Sequence, residues 1–141
     1  MVRVLIVDDS ATAREAITAI LQTEPRISIV GEATDGEQAV AMAAELKPDV
    51  ITMDINMPQM DGHSATRAIM AKTPTPIVVV TSVTQEEMVH QGLDILLAGA
   101  LDIVQKPSAI SNAAFETVRS ELVSKVLALS HIKFHSFVTE S

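Results

Sequence analysis

Two short apolar runs in this chain end in acid. Val4-Leu5-Ile6-Val7 leads directly into Asp8-Asp9, and Val50-Ile51-Thr52-Met53 leads into Asp54. Such runs read as strands of a parallel sheet buried on both faces. In an open α/β sheet the working crevice lies beyond the carboxyl ends of the strands. Three carboxylates gathered there repel one another unless a hard divalent cation sits among their oxygens. The pattern therefore predicts a Mg²⁺ (or Mn²⁺) site.

Two further strand ends complete the predicted pocket. Ile77-Val78-Val79-Val80 ends at Thr81-Ser82, and Ile103-Val104 ends shortly before Lys106-Pro107. Three acids, a hydroxyl and an ammonium together suit a phosphoryl group and its metal.

Between these strands the apolar periodicity switches to that of helices. Ala13, Ile17, Ile20 and Leu21 mark a first helix, with Thr12 and Glu15 as its capping box and Pro25 as its stop. Ile27 to Val30 reads as the second strand. Asp35-Gly36 turns the chain, with Asp35 capping a helix that carries Ala39, Val40, Ala43 and Leu46. Residues 62–71 and 85–97 read as the third and fourth helices. The last helix, 113–129, carries the stripe Phe115, Val118, Leu122, Val126 and Leu129. Five strands alternating with five helices predict a doubly wound α/β domain, its parallel sheet covered on both faces by right-handed crossovers. Residues 1–129 form that one domain, and 130–141 read as a C-terminal tail.

Bulk composition narrows the function. The 141 residues suffice for one core. A net charge of −8 argues against binding nucleic acid, which needs Lys and Arg clusters. Absence of cysteine removes disulfide frameworks and thiolate metal sites. The opening apolar stretch is too short for a signal-peptide core or a membrane span. A cytoplasmic chain with no membrane partner is expected.

Within the predicted pocket, Asp9 and Asp54 are the expected direct ligands and Asp8 acts through water. A backbone carbonyl near Asn56 supplies a further oxygen. Asp54 also has the position of a nucleophile that can form an aspartyl-phosphate. Lys106 can clamp a phosphoryl oxygen and Thr81, beside Ser82, can donate to another. The plainer alternatives are helix-capping acids, a solvated Lys106 and a β-propense Thr81-Ser82 pair. The four histidines show no ligand spacing with one another.

With these residues assembled, the chain resembles a response-regulator receiver domain of two-component signalling. The resemblance spans about residues 2–129 and rests on VLIVDDSATAR, DVITMDINMPQMDG, PIVVVTS and GALDIVQKP. It implies a flavodoxin-like fold of sheet order 2-1-3-4-5. It also implies that Asp54 accepts phosphate from the phosphohistidine of a sensor histidine kinase. Asp8, Asp9 and the Asn56 carbonyl would then serve Mg²⁺, while Thr81, Ser82 and Lys106 contact the phosphoryl group. Thr81 and position 103 form the family's switch, but Ile103 stands where an aromatic is usual. Switching is therefore expected to depart from the family pattern while phosphorylation does not.

More narrowly, MPQMDGHSATRAIMAKTPTPIVVVTSVTQEE and GALDIVQKP are similar to the receiver half of chemotaxis methylesterases. Their hydrolase half is absent from the sequence, as is any Gly-x-Ser-x-Gly elbow. The expectation is a free-standing, non-enzymatic receiver of chemotaxis or related signalling. The alternative is the regulatory fragment of a protein-glutamate methylesterase. Output is expected through the face of the fourth predicted helix, the fifth strand and the last helix. Met88, Leu93, Leu96 and Ile103 would meet a protein partner or a second copy there. A haloacid-dehalogenase-type phosphatase would want an acid where Asn56 stands. A flavodoxin would want a phosphate loop where Asp8-Asp9 stands.

Overall fold

The computed structural model describes residues 1–55, 57, 60–81, 99–105 and 112–132. Five strands form one parallel sheet: β1 (Val2–Val7), β2 (Ile27–Ala33), β3 (Val50–Met53), β4 (Ile77–Thr81) and β5 (Asp102–Gln105). Their order is β2-β1-β3-β4-β5, the flavodoxin-like order expected. The described helices are α1 (Ala11–Gln22), α2 (Gly36–Leu46), α3 (Gly62–Lys72) and α4 (Asn112–Leu129). The helix expected over 85–97, with Met88, Leu93 and Leu96, lies outside the described residues. None of the described helices is long and apolar enough to cross a membrane.

The three central strands β1, β3 and β4 read as apolar runs because they are buried on both faces. Leu5, Val7, Ile51, Met53, Ile77 and Val79 pack with Ala39 and Ala43 of α2 and with Ala65 and Ile69 of α3. The alternate residues Val4, Ile6, Val50, Val78, Val80 and Val104 pack with Ile17, Ile20 and Leu21 of α1 and Leu122 and Val126 of α4. Every residue of the stripe predicted for the last helix joins this second cluster. Period-2 alternation thus sends α1 and α4 to one face of the sheet, and α2 and α3 to the other. Lys125 on α4 secures that helix to the sheet edge. Its ammonium donates to Asp102 Oδ1 at 3.0 Å and to Glu121 Oε1 at 3.1 Å. Burial opposes its charge, but these acidic partners outweigh the burial and hold its pKa above the ordinary lysine value.

Two local expectations are corrected. The N-cap of α1 is Ser10, whose Oγ accepts the Ala13 N–H at 3.2 Å, and not Thr12. The helix begins one residue before Thr12, so Thr12 already lies in the first turn. The second strand does not stop at Val30. Gly31, Glu32 and Ala33 continue the ladder opposite Leu5, Ile6 and Val7, after a register shift between Val4 and Leu5. Gly and Glu are poor strand formers, but pairing with a central strand overrides that preference.

One buried polar group interrupts the second cluster. Thr52 is 1% exposed, and its hydroxyl has no hydrogen-bond partner among the described residues. Its neighbours across the ladder are Ile6 and Val78. An unpartnered buried hydroxyl costs free energy that a methyl of similar shape does not. Thr52→Val is expected to stabilise the fold by about 1 kcal/mol, read as a higher urea midpoint at unchanged slope. A lower midpoint would contradict this account of the site.

Candidate functional site

The carboxyl ends of β1 and β3 lie side by side, because Val7 pairs with Met53 in the central ladder. One residue further on, the Asp54 N–H donates to Val7 O at 2.9 Å and carries the pairing past the end of β3. Asp8 is held on the other side of β1, its N–H donating to Ala33 O at 3.0 Å. Its Oδ1 accepts the Ser10 N–H at 2.9 Å, and its carbonyl accepts from Arg14 Nη1 at 2.7 Å. Asp8 and Asp54 are 0% and 4% exposed, whereas Asp9, entering the loop to α1, is exposed.

Carboxylate oxygens of Asp8, Asp9 and Asp54 all lie within 4.8 Å of one another. At an effective dielectric of about 20, two unit charges at such a distance repel by on the order of 3 kcal/mol. The donor set is made only of hard oxygens, two of the three carboxylates are buried, and one side is open to solvent. That chemistry fits Mg²⁺ or Mn²⁺, which take a few carboxylates and keep other positions for water or phosphate oxygens. Thr81, 1% exposed, ends β4 two residues beyond Val79, which is itself level with Met53. The fold therefore brings four of the predicted residues to one end of the sheet. Ile103 is half-buried on β5 against the cluster that faces α2 and α3. Asn56, Ser82 and Lys106 lie outside the described residues.

Two glycines close the loop behind Asp54. The Gly62 N–H donates to Ile55 O at 2.7 Å, and a Cβ on Gly62 would stand 2.3 Å from Asp54 O. Asp61 caps α3 there, its Oδ1 accepting the Ser64 N–H at 2.8 Å. The Gly36 N–H donates to Met60 O at 3.0 Å, and a Cβ on Gly36 would come within 2.2 Å of that oxygen. Sequence reasoning treated both glycines only as turn and helix-start signals. What it could have used is the place of Gly62 behind the cap Asp61, where helix propensity offers no reason for glycine. Gly62→Ala is expected to cost on the order of 2 kcal/mol, because backbone rather than a flexible side chain must yield. Urea unfolding checks the cost; an unchanged midpoint would show that α3 can retreat freely.

Comparison with known proteins places this arrangement. The family model for the response regulator receiver domain matches residues 4–114. The chain is 41% identical over 133 residues to a protein-glutamate methylesterase/protein-glutamine glutaminase of Methanospirillum hungatei, an alignment covering 94% of this chain and 38% of that protein. The chain thus spans well under half the length of this curated relative. Among solved structures, the response regulator domain of CheB from Thermotoga maritima superposes with a TM-score of 0.83 at 40% identity, covering 95% of this chain and 99% of that one. The receiver domain of a Pseudomonas aeruginosa sensor histidine kinase, solved with a magnesium ion coordinated in its active site cleft, superposes with a TM-score of 0.73. There the identity is 28%, and the match covers 92% of this chain and 98% of that one.

Proposed function

The chain belongs to the response-regulator receiver family, and from that premise we propose that it is a phosphorylation switch in which Asp54 is the phosphoacceptor. The observation that carries this reading is the convergence of Asp8, Asp9 and Asp54 at the carboxyl end of the sheet. An Asp54 carboxylate oxygen attacks the phosphorus of a phosphohistidine on a sensor histidine kinase. A P–O bond forms as the P–N bond breaks, and the imidazole leaves with the bonding electron pair. Asp54 is suited to this by its place at the end of β3, held through its N–H to Val7 O. Thr81 at the end of β4, with Ser82 and Lys106, is assigned to the phosphoryl oxygens.

Asp8, Asp9, Asp54 and the Asn56 carbonyl would hold Mg²⁺, as the coordinated magnesium in the Pseudomonas receiver supports. Bound there, the ion supplies charge neutralisation on the transferring oxygens. Asp9 and Asp54 are the proposed direct ligands. Supporting this, one oxygen of Asp8 already accepts the Ser10 N–H.

Output is proposed to run through the face around β5, where Ile103 takes the usual aromatic's place and meets a partner or a second copy. A second reading follows from the methylesterase relatives, of which this chain matches little more than a third: a regulatory segment of such an enzyme, in chemotaxis. The length of the natural reading frame decides between the two.

Incubation with acetyl phosphate and Mg²⁺ is expected to add one labile phosphate by intact mass, lost in Asp54→Asn and in EDTA. Undiminished labelling of that variant would overturn the assignment. Saturation to ten times the Kd for Mg²⁺ should stabilise the fold by about 1.4 kcal/mol. That Mg²⁺-dependent rise in melting temperature is expected to shrink more in Asp9→Asn than in Asp8→Asn. Equal shrinkage would refute the ranking of the ligands.

A further inference from the structure

Arg14 occupies the fourth position of α1, in the part of a helix where the macrodipole disfavours a cation. Its side chain is nonetheless only 18% exposed. Nη1 donates to the Asp8 carbonyl at 2.7 Å, and Nε lies 3.3 Å from Glu32 Oε1. Glu32 sits on β2 opposite Ile6 of β1. One guanidinium therefore ties α1, the end of β1 and the edge strand β2 together directly beside the acidic cluster.

The carbonyl that Arg14 holds belongs to the Asp8–Asp9 peptide. That peptide is planar, so fixing its oxygen fixes the plane from which Asp9 departs. Asp8 is already restrained through its N–H to Ala33 O and its Oδ1 to the Ser10 N–H. Asp9 is exposed, and its Cα is the last atom of that same planar unit. We infer that Arg14 is a positioning residue for the acidic pocket, orienting the Asp8–Asp9 peptide so that both carboxylates face one ion. The inference rests on the reading of the three acids as a Mg²⁺ site.

Charge and geometry make opposite demands here, which makes the role testable. A nearby cation acting only through its field would weaken Mg²⁺ binding, so removing it would tighten the site. Glu32 offsets that field, and what remains is the two-armed grip. Lysine keeps the charge, but its single ammonium cannot reproduce the guanidinium's spread of donors.

The experiment is calorimetric Mg²⁺ titration of the full chain, as wild type and as Arg14→Met, Arg14→Lys and Glu32→Gln. Partners that orient metal ligands are typically worth 10- to 100-fold in affinity, so both Arg14 variants are expected to weaken Mg²⁺ binding about tenfold. Glu32→Gln keeps an acceptor for Nε and should change it far less. Labelling of the Arg14 variants by acetyl phosphate should need more Mg²⁺ but recover the wild-type rate at saturation. A role confined to stability would instead lower the folded fraction and leave the Kd of the folded protein unmoved. Tighter binding in Arg14→Met, or wild-type affinity in both Arg14 variants, would overturn the inference. Should those variants unfold, Glu32→Ala frees one arm and leaves Arg14 in place. Glu32→Gln removes the same charge but keeps the acceptor, so a Kd weaker in Glu32→Ala than in Glu32→Gln supports the grip, and equal values overturn it. A wild-type chain that binds no Mg²⁺ would instead remove the metal reading itself.

Discussion

Three carboxylates held close together against their mutual repulsion are the constraint on which the rest of this molecule turns. Asp8 and Asp54 are buried, so water screens their charges poorly, and rigid backbone attachment helps to keep them in place. That attachment comes from the sheet. The Asp54 N–H is bonded to Val7 O and the Asp8 N–H to Ala33 O, so both acids extend ladders begun four or more residues earlier. A loop could not hold them as firmly, because no comparable set of parallel bonds would oppose their separation.

Topology opens the cluster to solvent. The chain leaves β1 for α1 on one face of the sheet, and leaves β3 for α3 on the other. The two loops part at the boundary between adjacent strands, and the crevice lies between them. The packing beneath is made for close approach. Ala39, Ala43 and Ala65 are fully buried where α2 and α3 meet the sheet, and Gly36 and Gly62 let the loop after Asp54 lie against backbone. The same kind of small residue that packs the helices also lets the backbone close up behind Asp54. Core and site are therefore not independent: a methyl group added at position 62 presses on the carbonyl of Asp54 itself.

Much of this was legible in the sequence because burial on both faces leaves a plain mark. The apolar runs at 4–7, 50–53 and 77–80 could be little else than central strands, and the acids following two of them had to meet at one end of the sheet. The stripe from Phe115 to Leu129 was legible for the same reason, its period matching one helix face. Less legible was whatever depends on pairing rather than pattern. Gly31 and Glu32 look like the end of a strand until Leu5 and Ile6 are placed beside them. Ser10 and Thr12 are both capping residue types, and the structure makes Ser10 the cap, its Oγ accepting the Ala13 N–H.

The sequence by itself determined the alternation of strands and helices, the chemistry at the strand ends and the family to which the chain belongs. Those properties live in residue type and short-range order, which periodicity and motif express directly. The tertiary structure decided how closely the carboxylates stand and what steadies them. Arg14 is 18 positions from Glu32 along the chain, yet they meet because β2 returns alongside β1. Gly62 and Asp54 meet because α3 folds back over the strand that precedes it. Contacts of this kind depend on which strands become neighbours, and strand order follows from the packing of the whole domain rather than from any local run of residues.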